Sequence, residues 1–164
     1  MKPLKWIVLF AFAVSTAFAQ SWSQPVREVD RPAKSAIQGN CYVSIAPGEG
    51  GNNSDCSLHN LSGNLVPAIP DGKALVIENV SATCSIPAAA PFRALNIGTT
   101  SMRTDIPLIT QGTNSAYNYM VGAQLVKVYI PAGQKVWVAM GYQFNYNASA
   151  NCGVQFQGYL ESAQ

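Results

Sequence analysis

From Gly39 onward, apolar side chains recur at every second position in short runs, and Gly, Pro and Asn break the runs apart. Alternation of this kind sends one side of a segment to a core and the other to water, which is the pattern of a half-buried strand. Cys41, Val43 and Ile45 alternate with Tyr42 and Ser44. Further strands are read over 65–69, 74–84, 93–99, 116–121, 124–130, 135–144 and 153–161. The alternation slips at Glu78-Asn79, where a bulge is expected. Residues 47–55 are rich in Gly and Asn and read as a loop. No stretch of this part shows a helical period with caps. About eight strands with short turns predict an all-β, antiparallel β-sandwich, jelly-roll-like, over 39–164.

One internal echo supports two related sheets. Ile69-Pro70-Asp71-Gly72-Lys73-Ala74-Leu75-Val76-Ile77 matches Ile130-Pro131-Ala132-Gly133-Gln134-Lys135-Val136-Trp137-Val138 in pattern. In each, proline restricts the turn, glycine accepts a positive φ, and an apolar run follows. A double Greek key would contain two such turn-to-strand corners.

Residues 1–19 read as a signal peptide. Lys2 and Lys5 precede the apolar run from Trp6 to Val14, and Ala17-Phe18-Ala19 offers the small-x-small cleavage pattern. The run is about 9 residues, against the roughly 20 a membrane-spanning helix needs, so no stable membrane insertion is expected after cleavage. The destination is secreted or periplasmic. Residues 20–38 carry Arg27, Glu28, Asp30, Arg31 and Lys34 together with Pro25 and Pro32, and read as a flexible, extended N-terminal arm, with an edge strand over 25–30 as the alternative.

Export gives meaning to the cysteines. Cys41, Cys56, Cys84 and Cys152 are even in number, and an oxidising compartment makes two disulfides the expected state. Three pairings are possible, of which Cys41–Cys56 with Cys84–Cys152 is favoured. The first would close a loop of about 16 residues, worth about 3 kcal/mol in the chain-entropy description. Zinc is not expected, because no Cys-x-x-Cys pair exists and His59 is the only histidine.

Without Lys2 and Lys5, eight basic residues face eight acidic ones. Neither the bulk charge nor any local Lys/Arg cluster supports nucleic-acid binding. No catalytic centre is expected. Asp55, Ser57 and His59 are close in sequence but lack the convergent geometry of a nucleophile and its base, and no nucleophile elbow occurs. Glu78 has no second acid evident for glycoside hydrolysis. No cofactor or metal is implied. The oxygen-bearing Glu49, Asn52, Asn53 and Asp55 within 47–56 suit a weak calcium site by ligand type but match no calcium-loop spacing.

The candidate working surface is aromatic and amide-rich. Placing Val136, Val138, Met140, Tyr142 and Phe144 in the core sends Lys135, Trp137 and Gln143 outward. The same rule on neighbouring strands sends out Lys127, Tyr129, Gln155, Gln157 and Tyr159. Trp137, Tyr129 and Tyr159, with Gln143, Gln155 and Gln157 beside them, are the candidate ligand or interface residues. Such rings stack on sugar faces or anchor protein interfaces.

The segment Val26-Arg27-Glu28-Val29-Asp30-Arg31-Pro32, with the block from Ile69 to Ser81, resembles a loose group of uncharacterised bacterial secreted β-sandwich proteins. The resemblance implies export and the sandwich fold, and no site residues. The expected function is a non-enzymatic binding or protein-interaction module whose partner is a protein or a glycan. The alternatives are a self-assembling, homo-oligomeric envelope or surface protein, and a lectin-like carbohydrate binder.

Overall fold

The computed structural model describes residues 35–143 and 146–163. The signal peptide expected over 1–19 and most of the arm expected over 20–38 lie outside the described residues. Ten strands are present in that part. The larger sheet contains β1 (Ala36–Ile45), β3 (Ser57–Asn60), β4 (Lys73–Pro87), β7 (Ile109–Thr113), β8 (Tyr117–Pro131) and β10 (Ala150–Ser162). The smaller holds β2 (Gly51–Asp55), β5 (Phe92–Gly98), β6 (Arg103–Asp105) and β9 (Trp137–Tyr142). Their orders are β3-β1-β10-β4-β8-β7 and β2-β9-β5-β6, with antiparallel pairing throughout.

Without the short edge strands β3 and β7, the sheets read β1-β10-β4-β8 and β2-β9-β5-β6. The first and last strands pair, and the chain crosses between sheets from β1 to β2, β2 to β3, β4 to β5, β6 to β7, β8 to β9 and β9 to β10. This is the double Greek key of a jelly roll. The two echo turns lie side by side at one end. Gly72 and Gly133 have φ of 69° and 72°, Lys73 N donates to Pro70 O (3.1 Å), Gln134 N donates to Pro131 O (3.2 Å), and Gly133 N reaches Ile69 O (3.4 Å). Each turn starts an inner strand, β4 after the first and β9 after the second.

The core follows from the alternation. Ile37, Cys41, Val43 and Ile45 of β1 are buried, while Gln38, Asn40 and Tyr42 between them are exposed. Leu75, Ile77, Ile86, Leu95, Ile97, Ile130 and Val138 are sealed between the sheets. The expected bulge is present: the β4–β10 ladder steps from Asn79 to Ile77 opposite Gln157 and Gly158, which leaves Glu78 as the extra residue.

Both disulfides pair as favoured. Cys84–Cys152 joins register partners on β4 and β10, and Cys41–Cys56 ties β1 to the single residue between β2 and β3. The chain changes sheets at Cys56, whose N–H donates to Val136 O (2.9 Å). The second bond therefore fastens a corner. Two disulfides accord with an oxidising compartment, and no helix among the described residues is long and apolar enough to cross a membrane.

Four sequence-based expectations need correction. Residues 51–55, read as loop, form β2, because small side chains let this backbone lie close against β9. A side chain on Gly51 would meet the Met140 carbonyl at 2.9 Å. Residues 65–69, read as a strand, contribute only the isolated bridge His59–Leu65, and Pro67 has no N–H to extend a ladder. The segments 116–121 and 124–130, read as two strands, are one 15-residue strand, β8, from Tyr117 on. The first strand also begins at Ala36, three residues ahead of Gly39.

Candidate functional site: two unlike outer faces

The register of the larger sheet lays its outward side chains in ruled rows. One row runs Ser57–Asn40–Gln155–Ser81–Ala123, and the next His59–Gln38–Gln157–Asn79–Leu125. Two more run Tyr42–Gly153–Thr83–Val121–Ile109 and Ser44–Asn151–Ser85–Tyr119–Gly112. None of these positions is Asp, Glu, Lys or Arg. Amides and hydroxyls fill the middle, and the large apolar groups sit at the β7–β8 margin, where Ile109 is 67% and Leu125 83% exposed. Gly153 leaves a gap: a side chain there would meet nothing within 4 Å.

Two shallow depressions follow, of about 230 and 220 Å³. The first lies among Asn40, Ser81, Thr83, Gly153 and Gln155, the second among Asn79, Ser81, Ala123, Gln155 and Gln157. They share Ser81 and Gln155, so they straddle one row. Tyr42, at the rim, donates its hydroxyl to Asn151 Oδ1 (2.8 Å).

Beyond these rows the ladder Tyr129–Val76–Tyr159 crosses β8, β4 and β10. Val76 is fully buried between the two tyrosines. The Lys127 ammonium stands 5.4 Å from the Tyr129 ring centroid. Its pKa is raised first by the hydrogen bond to Tyr129, with the electrostatics of Tyr129, Tyr159 and Glu161 adding to the effect. This corner is charged and knitted together, unlike the rows beside it.

The aromatic set expected from the sequence is divided between the two sheets. Gln155, Gln157, Tyr129 and Tyr159 lie on the larger sheet, whereas Trp137 is on β9 of the smaller one, and Gln143 follows β9 with its N–H on Pro91 O (2.6 Å). Trp137 was expected to be open to solvent and is only 8% exposed. It does point away from the core cluster, but the Arg103 guanidinium lies over its ring, 5.1 Å from the centroid. Gly98 stands between Arg103 and Trp137 in register and carries no side chain to separate them.

The outer face of the smaller sheet has a different character. Its rows are Gly51–Gly141–Ala94, Asn53–Ala139–Asn96–Asp105 and Asp55–Trp137–Gly98–Arg103. Small side chains floor a groove of about 570 Å³, which Arg93, Arg103, Asp105 and Tyr142 help to line. Asn96 Nδ2 donates to Asp105 Oδ1. Alternation had marked the outward direction of Trp137. The groove itself had no sequence signal, because its walls come from a bulge on β5 and from β6, a strand of three residues.

The other residues singled out in sequence are dispersed. Asp55 accepts from Lys135 Nζ (2.6 Å), and this contact is what raises the Lys135 pKa. His59 Nδ1 lies 3.2 Å from Gly63 O, and Ser57 is exposed on β3. Glu49 Oε2 accepts from Ala46 N, and Asn52 Nδ2 donates to Ser44 O. Among the described residues no group of three or more His, Cys, Asp or Glu is placed to hold a metal ion.

No protein-family model matches the chain, and no curated protein does. Among solved structures, a chain of the cyanophage Pam1 capsid asymmetric unit is similar with a TM-score of 0.43 and 14% identity, over 76% of this chain and 84% of that one.

Proposed function

We propose that the protein is an exported, non-enzymatic binding module and that its working surface is the uncharged outer face of the larger sheet, with a neutral, hydroxyl-rich glycan chain as ligand. The observation that carries this reading is the run of consecutive rows without a charge. Amides and hydroxyls both donate and accept, so they match a ligand made of hydroxyl groups. A protein partner that desolvated the same surface would have to satisfy every amide or lose roughly 1–3 kcal/mol for each one left unpaired. Protein interface cores are also richer in aromatic residues and Met than the centre of this face. The depressions beside Gln155 are each too small for a drug-sized molecule, and a chain laid across the shared row would use both.

Retention on neutral polysaccharides tests the reading. Replacing both Gln155 and Gln157 with Ala is expected to weaken binding about ten-fold, in line with roughly 1 kcal/mol or less per lost hydrogen bond. Unchanged retention by the double variant, across a panel that the parent protein binds, would refute it.

A second reading, self-assembly, has its own observation. Every residue of the edge strand β7 is exposed and uncharged, and Leu125 and Ile109 project beside it. An edge of this kind is a template for pairing with another copy. Sedimentation of the parent protein and of Leu125→Lys would distinguish a defined oligomer from a monomer.

A further inference from the structure

We infer that the groove on the outer face of the smaller sheet is a second binding site, selective for a sugar that carries a carboxylate, such as a uronate residue of an acidic glycan. This site lies across the sandwich from the uncharged face and does not depend on what that face binds.

The floor comes first. Gly141, Ala94 and Ala139 line the groove on the paired strands β5 and β9 and project little above the sheet, so a rigid ring can approach the backbone. The resulting groove of 570 Å³ is more than twice the volume of either depression on the other face, and it falls in the range typical of small-molecule sites.

The charges come next. Arg93 sits where the β5–β9 register shifts between Phe92 and Ala94, and bulges re-aim side chains. Arg103 is steadied by the Trp137 indole, which fixes its planar fork before a ligand arrives. A guanidinium fork matches a carboxylate in two parallel hydrogen bonds. Facing these two cations is one acid, Asp105, engaged by Asn96 through Oδ1. Asp105 leaves the groove with a single excess positive charge, which suits one carboxylate at a time and disfavours a dianionic phosphate. It is also an acceptor for hydroxyl donors. One carboxylate and several hydroxyls on the same rigid ring describe a sugar acid.

Calorimetric titration with oligogalacturonate is the test, with a neutral oligosaccharide of equal length, acetate, inorganic phosphate and a Glu-rich peptide as comparison ligands. Oligogalacturonate should bind, and acetate, phosphate and the Glu-rich peptide should bind at least about ten-fold more weakly, while binding of the neutral oligosaccharide to the other face should be unchanged by Arg93→Gln. Arg93→Gln and Arg103→Gln should each weaken it about ten-fold, the order expected for losing a charge-assisted pair at a partly solvated site. Asp105→Ala should weaken it too. Arg93 is exposed on the bulge, so its variant reports on binding even where Arg103→Gln perturbs Trp137 packing, and melting midpoints will show which variants stay folded. Tighter binding by Asp105→Ala would mean bare charge attraction and would overturn the inference, as would equal binding of phosphate, acetate or the acidic peptide. The Gln155/Gln157 double variant should bind oligogalacturonate normally, so failure of the proposed neutral-glycan function and failure of this inference are separable.

Discussion

The Phe156 ring occupies the place where a side chain on Gly39 would begin, and the two residues are register partners between β1 and β10. The glycine is part of the core because it leaves room for its neighbour. Gly39→Ala should force the ring from its position and destabilise the fold by about 1–3 kcal/mol, seen as a lower denaturant midpoint at unchanged slope. Phe156→Leu in the same background should recover part of that loss. Strictly additive effects would show that the ring is not the cause. Tyr142 gives a second expectation at this scale. Its phenol is pushed above the usual tyrosine pKa by burial first, then by Tyr117 and Tyr146, the latter ring lying 5.8 Å away edge-on. The folded chain thus holds this proton beyond the pH at which the unfolded chain releases it. Rising pH above about 10 then favours unfolding. Denaturant midpoints at alkaline pH should fall less steeply for Tyr142→Phe than for the parent; equal slopes would contradict this. Alternation in the sequence set Tyr142 inward and Trp137 outward, as observed. It could not show that Trp137 is covered, since Arg103 reaches it from a strand remote in sequence.

Long alternating strands were legible because each carries its own periodic signal. The bulge at Glu78 was legible for the same reason, since an extra residue breaks the period. What the sequence hid at this scale was pairing that depends on a distant partner. β2, Gly51–Asp55, has the composition of a turn, and only its ladder with β9 makes it a strand. Residues 65–69 show the converse: they have apolar side chains but meet β3 only through the isolated bridge His59–Leu65 and form no ladder. The disulfide pairing was legible because Cys41 and Cys56 flank one short segment, leaving the other two for each other. The two bonds act on different elements, and their removal should differ. Replacing Cys41 and Cys56 with Ala releases the β2–β3 corner and should lower stability by about 3 kcal/mol. Replacing Cys84 and Cys152, which are 68 residues apart, should cost about 4 kcal/mol by the same reasoning. The buried Sγ of Cys152, 3.2 Å from Met140 Sδ, adds a packing loss in the second case. Equilibrium unfolding of the two double variants gives the order directly, and a larger effect at the Cys41–Cys56 corner would reverse the argument.

Overall charge near neutrality conceals how the charges are distributed. On the larger sheet the ruled rows carry none, while Lys127, Glu78 and Glu161 gather toward one end of the face. On the smaller sheet Arg93, Arg103, Asp105, Asp55 and Lys135 lie on or beside one face. A count of residues sees neither arrangement, because both are made by register between strands far apart in sequence. The segregation leads to opposite salt behaviour at the two surfaces. Raising ionic strength from about 0.1 to about 1 M shortens the Debye length from about 10 to about 3 Å. Hydrogen bonding between neutral amides and hydroxyls has no net charge to screen, so neutral polysaccharide should stay bound to the larger sheet throughout. Pairing of Arg93 and Arg103 with a carboxylate is partly exposed and should weaken steadily over the same range. Parallel titrations of one protein preparation with neutral and uronate oligosaccharides at several NaCl concentrations provide the measurement. Matched slopes would mean that both ligands occupy one surface. In that case the Gln155/Gln157 and Arg93 variants would identify it, because only the set lying on the shared surface would abolish both.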